Sequence, residues 1–102
     1  VLVFLENKEL EKLYVTGSSK KLRLPAEIIE KFFATLQKIQ AAHSTRDLLS
    51  DNGLRFKKME GFPNRYSMRL NVKYRLEMEI KWLDSDQQIG AFHIMAITNH
   101  YQ

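Results

Sequence analysis

Two groups of side chains in this sequence could do chemistry. The first is basic. Between Leu54 and Arg75 stand Arg55, Lys57, Lys58, Arg65, Arg69, Lys73 and Arg75, with Glu60 the only acid. Seven basic residues against one acid leave +6, more than the +4 of the whole chain, so the positive field is concentrated in one stretch. Guanidinium and ammonium groups gathered on one surface hold a phosphodiester by charge and by bidentate hydrogen bonds. The second group is the terminal Asn99-His100-Tyr101. An imidazole titrates near neutrality and serves as general acid or base. A phenol donates a hydrogen bond, or a proton where cations lower its pKa. Asn99 can orient a hydroxyl or a phosphate.

Each group also has a simpler reading. A basic strand face can be solvated surface that blocks edge pairing, and a polar tail can be no more than a chain end. Strand alternation adds a constraint, because Asn99 and Tyr101 share the face of Ile97 while His100 lies with Thr98. A bulge or turn is needed for His100 and Tyr101 to act in one pocket.

Other chemistries find little support. The chain has no cysteine, hence no thiolate and no disulfide. His43, His93 and His100 lack metal-ligand spacing with carboxylates, so no metal or other cofactor is expected. His93, in mid-strand, reads as a hydrogen-bonded core histidine. Glu77 and Glu79 balance Arg75 and Lys81 across a strand face. Gly53 and Gly61 form no phosphate-cradling loop. "FHIMAI" is too short to span a bilayer, so no membrane partner is expected.

The elements that must position these groups follow from periodicity. With 102 residues, 44% of them apolar, the chain suits one domain, 1–102. "VLVFL" reads as a short strand, and Asn7 caps a helix carrying Leu10, Leu13 and Tyr14. Gly17 ends that helix, and Pro25 opens the next. From Ala26 to Ala42, Ile28, Ile29, Phe32, Phe33, Leu36 and Ile39 recur at helical spacing. "STRDLLSDNG" supports one or two further helical turns. After Gly53 the period becomes two. Tyr66, Met68, Leu70, Val72 and Tyr74 face one way in "RYSMRLNVKY", and Arg65, Ser67, Arg69, Asn71 and Lys73 the other. "YRLEMEIKW" continues the alternation, and residues 89–98 read as a central strand covered on both faces. The expectation is an α+β fold, with N-terminal helices packed on a twisted antiparallel sheet whose other face is basic.

The order of "NKELEKLYVTGSSKKL", "LQKIQAAHSTRDL", "RFKKMEG" and "RYSMRLNVKYRLEMEIKW" resembles the HigB toxins of the RelE/ParE superfamily, also called plasmid-maintenance killer proteins. The likeness covers nearly the whole chain. The Gly61 turn, "YSMRLN" and Tyr74-Arg75-Leu76 are its most specific parts. It implies a bacterial, cytoplasmic toxin of a type II toxin–antitoxin system that cleaves mRNA on the translating ribosome without a metal. It also implies a helix-turn-helix partner, a HigA-like antitoxin.

Residue by residue, Arg75 matches the family's sheet arginine, a phosphate or transition-state clamp. Lys57 stands where some members carry a catalytic histidine, with Lys58 a neighbour of opposite parity. Many members end in Asp-Tyr-His. The corresponding Asn99-His100-Tyr101 lacks the acid and reverses the order of His and Tyr. The resemblance thus assigns the chemistry to Arg75, Lys57, His100 and Tyr101. Arg55, Lys58, Arg65, Arg69, Lys73 and Asn99 are the expected RNA contacts, with Arg55, Arg65 and Arg69 drawn from the strand pattern. Two related outcomes share the fold: a ParE-like gyrase inhibitor, and a catalytically inactive basic module that only binds its antitoxin.

Overall fold

The computed structural model describes residues 1–99. Strand β1 (Leu2–Leu5) leads into helix α1 (Lys8–Thr16), then α2 (Ala26–Ala41) and α3 (Thr45–Leu49). Four strands follow: β2 (Lys57–Lys58), β3 (Arg65–Arg69), β4 (Tyr74–Trp82) and β5 (Gly90–Asn99). They form one sheet in the order β1-β5-β4-β3-β2. The core lies between the helices and one face of the sheet. Leu10, Leu13, Ile28, Phe32, Leu36 and Ile39 from the helices meet Met68, Leu76, Met78, Ile80, Phe92 and Ile94. Alternation puts the opposite side chains of each strand on a face without helices, termed here the open face.

The α+β arrangement is as the periodicity indicates, with four differences. The sheet is mixed rather than antiparallel, because β1 pairs parallel with β5. A parallel pair needs a crossover, and the three helices supply it. Second, "RYSMRLNVKY" is not one strand. Asn71 Oδ1 accepts hydrogen bonds from the N–H groups of Lys73 and Tyr74, both at 2.8 Å, and folds residues 70–73 into a turn. Third, β5 is an interior strand, between β1 and β4, but carries helices on one face only. Fourth, His93 lies on the open face, outside the core. It bonds Glu6 at 2.8 Å and stacks on Phe4 with ring centroids 5.0 Å apart. The alternating set of an apolar strand is set by its neighbours, and here Phe92 and Ile94 take the core side.

One irregularity in β5 matters for the site. Glu77 pairs with Ala96 but Met78 pairs with Ile94, so Met95 is an extra residue without a partner in the register. The bulge switches parity. Before it, Phe92 and Ile94 face the core. After it, Ile97 pairs with buried Leu76, and Ala96 and Thr98 pair with Glu77 and Arg75 on the open face. A single side chain holds the bulge. Asn7 Oδ1 accepts from the Leu10 N–H at 2.8 Å as the N-cap of α1, and Asn7 Nδ2 donates to the Met95 carbonyl at 2.8 Å. The Glu6 N–H adds a bond to the Ile94 carbonyl at 2.9 Å.

Losing both bonds in Asn7→Ala is expected to destabilise the domain by about 2 kcal/mol, the sum of a cap and one further hydrogen bond. Asn7→Asp retains the cap acceptor and loses only the donor, so its urea midpoint should fall between those of Asn7→Ala and the unmodified chain.

Candidate functional site

A cleft of about 170 Å³ opens where β2, β3 and the β3–β4 turn meet. Its walls are Arg55, Lys57, Ser67, Arg69, Asn71, Val72 and Arg75, four cations with no carboxylate among them. Register explains the gathering. Arg69 pairs directly with Arg75, and Ser67 pairs with Lys57 on one side and Glu77 on the other. Lys57, Ser67, Arg69 and Arg75 therefore share the open face. Arg69 and Arg75 are direct cross-strand partners, so two guanidinium groups stand side by side on the open face.

Arg55 reaches the cleft by a strained backbone, with φ of +47°. A non-glycine residue in the left-handed region costs free energy, and such strain clusters at functional sites. The surroundings enforce it. The Arg69 N–H donates to the Leu54 carbonyl at 2.6 Å, and Leu54 is buried. Before it, Asp51 Oδ1 accepts from the Gly53 N–H at 3.1 Å while its other oxygen meets Lys38 Nζ of α2 at 2.8 Å. The hydrogen bond from Lys38 holds the Asp51 carboxyl below its ordinary pKa, so this anchor is retained at neutral pH and lost only as pH falls through that lowered value. On the far side, Glu77 is turned to other partners, accepting from Thr98 Oγ1 at 2.8 Å and lying 3.9 Å from an Arg65 nitrogen.

Of the residues expected to contact RNA or do chemistry, the fold brings together Arg55, Lys57, Arg69 and Arg75. Arg65 shares their face but sits at the other end of β3, opposite Glu79. Lys58 pairs with Tyr66 and does not line the cleft, although it lines an adjoining groove with Lys57 and Arg75. Lys73 is exposed in the turn and does not line the cleft. Asn99 pairs with Tyr74, so alternation puts it on the helix-bearing side, and it does not line the cleft. His100 and Tyr101 lie outside the described residues. Thr98, two residues before His100, pairs with Arg75 itself.

Three lining residues were not among the expected contacts. Ser67 shares parity with Arg65 and Arg69, a signal present in the sequence. Asn71 has the same parity in the alternating run, but Val72 enters only because the chain turns at residues 70–73. Among the described residues no group of three His, Asp or Glu side chains could hold a metal ion, and no helix is long and apolar enough to cross a membrane.

This fold recurs in solved structures. The YoeB/ParE toxin from Agrobacterium tumefaciens superposes with a TM-score of 0.60 at 11% identity, over 99% of this chain and 100% of that one. YoeB from Staphylococcus aureus, in a YoeB-YefM complex, superposes with a TM-score of 0.57 at 16% identity, over 99% and 98%. A YoeB dimer from the same organism gives 0.54. The fold is thus that of the RelE/ParE class of toxins. No curated protein matches the chain in sequence. Residues 4–91 do match the family of HigB-like toxins, described as the RelE-like toxin of type II toxin-antitoxin system HigB, and the chain belongs to that family.

The strained position gives a test of the cleft. In Arg55→Gly, relief of the left-handed penalty offsets the entropy of glycine, so stability should stay within about 1 kcal/mol of the unmodified chain. The stabilisation conferred by added inorganic phosphate, read as a rise in Tm, should shrink.

Proposed function

We propose that this chain is an endoribonuclease toxin that cuts mRNA on the translating ribosome and is neutralised in the bacterial cytoplasm by a HigA-like helix-turn-helix antitoxin. The observation that carries this reading is the Arg69–Arg75 pair, flanked by Arg55 and Lys57 in a cleft lined by no carboxylate among the described residues. Four cations around one small space suit a phosphate that gains charge during reaction.

The reaction begins when a ribose 2′-oxygen attacks the adjacent phosphorus and loses its proton to a base. The phosphate acquires extra negative charge as the new bond forms. The bond to the 5′-oxygen then breaks, and an acid protonates that leaving group, giving a 2′,3′-cyclic phosphate and a free 5′-hydroxyl. Arg75 and Arg69 hold the non-bridging oxygens, where charge develops. Lys57 adds a point charge beside the attacking ribose, and the Ser67 hydroxyl offers a further donor. His100 and Tyr101 are the proposed proton-transfer groups. Thr98 pairs with Arg75, so the last described residues of β5 lie alongside the strand that carries Arg75. A metal-free mechanism fits this donor set, which offers cations and proton carriers in place of metal ligands.

Inducing the unmodified chain and Arg75→Ala in bacteria, followed by mapping of new mRNA 5′ ends, tests the proposal. Translation-dependent cleavage should be present in the first and reduced at least about 100-fold in the second, the scale of losing one transition-state charge donor. Growth arrest with intact mRNA and DNA damage would instead assign a gyrase target, and absence of toxicity a module that only binds its antitoxin.

A further inference from the structure

Phe62 stands at the tip of the β2–β3 hairpin with 51% of its surface exposed, and it takes no part in the core. Gly61, at φ of +83°, and Pro63 flank it. Below it the hairpin is closed by the Met59 N–H donating to the Arg65 carbonyl at 2.8 Å. The Arg65 guanidinium carbon lies 5.7 Å from the centre of the ring, a cation–π contact. The ring is thus propped by a cation while half its surface meets solvent.

The position of this ring relative to the cleft is informative. A groove lined by Lys57, Lys58, Met59, Glu60 and Arg75 shares Lys57 and Arg75 with the cleft. At its other end Lys58, Met59 and Glu60 also line the depression that contains Phe62. The surface is therefore continuous from the phosphate-sized cleft to the aromatic ring. Arg65 lies four residues along β3 from Arg69, roughly 13 Å at the rise of a strand. A group held at Phe62 thus belongs to a neighbouring nucleotide, not to the one at the cleft.

Charge decides what that group is. Glu77 lies 3.9 Å from Arg65, and Glu79 is its direct cross-strand partner. This end of the face is close to neutral, so it makes a poor second phosphate clamp. A protein partner would call for a contiguous apolar patch, whereas Phe62 is the one exposed large apolar side chain on the hairpin tip. An aromatic ring backed by a guanidinium is suited to stacking a nucleobase.

We propose that the exposed face of Phe62, backed by Arg65, stacks a base of single-stranded RNA flanking the phosphate held by Arg69 and Arg75. This rests on the RNA-cleaving reading given above and adds a base-contacting, specificity-determining residue to it.

The test is a fluorescence titration of the full chain with a short uridine-rich RNA carrying one 2-aminopurine, whose emission is quenched by stacking. The chain, Phe62→Ala, Phe62→Trp and Arg75→Ala are compared, with Tm measured as a check on folding. Phe62→Ala should bind on the order of tenfold more weakly and lose the quenching. Phe62→Trp should restore both. Arg75→Ala should bind more weakly yet show the quenching at saturation. Equal affinity and equal quenching in Phe62→Ala would overturn the stacking while leaving the cleft's role intact, provided Arg75→Ala still weakens binding. No binding by the unmodified chain would overturn the stacking, while the RNA-cleaving reading stands or falls separately on the mapping of mRNA 5′ ends with Arg75→Ala. Unchanged RNA binding in Phe62→Ala with weakened antitoxin binding would overturn the stacking in favour of a protein contact.

Discussion

The Asn7 side chain spans two elements that are distant in sequence, and the layout of the site depends on it. Its oxygen caps α1, and its nitrogen holds the carbonyl of the bulged Met95. Without the extra residue, β5 would carry Ile97 to the open face and turn Thr98 towards the core. With it, Ile97 pairs with Leu76 and Thr98 with Arg75. One amide thus couples the start of the first helix to the side of the sheet on which the last strand presents its polar residues. The parity of β5 beside Arg75 is then not a property of local sequence but of a contact across 88 positions.

The cleft itself is built against local preference. Arg69 opposite Arg75 is a like-charge pair, and Arg55 has a left-handed backbone although it carries a side chain. Both features cost stability, and both are sustained by the packed core behind them. Buried Leu54 and Leu70 fix the chain on either side of Arg55 and Arg69. The Lys38–Asp51 ion pair ties the approach to Arg55 back to α2. A rigid, preorganised set of cations gains most when charge appears on a bound group, because little reorganisation is then required.

The two ends of the open face differ in kind. Near the β3–β4 turn the lining is cationic. Near the β2–β3 hairpin Glu77 and Glu79 offset Arg65, and an aromatic ring takes over. Glu77 lies between the two ends and bonds Thr98 of β5, so the same carboxylate that balances Arg65 also fastens the last strand beside Arg75. On β1 and β5 the face is different again, with Phe4 stacked on His93 and Glu6 bonded to it.

By itself the sequence determined the helices, the apolar sets and the concentration of charge. Helical spacing of Ile28, Phe32, Leu36 and Ile39 is a local signal, and so is the cap at Asn7, because both depend on residues within one or two turns. Alternation placed Arg65 and Arg69 on one face of their strand, since the period of a strand is two wherever it runs, and pairing then put Lys57 and Arg75 on that same face. Tertiary structure alone decided the rest. The Asn71 turn divided an alternating run that reads as continuous, since a turn held by a side-chain amide leaves hydrophobic parity undisturbed. Parallel pairing of β1 depends on a partner some ninety residues away. The place of Asn99 and Thr98 depends on a one-residue bulge, and register is not encoded in the residues that it moves. Which cations meet, and which are spent on Glu77 or left in solvent, is therefore a matter of pairing, not of composition.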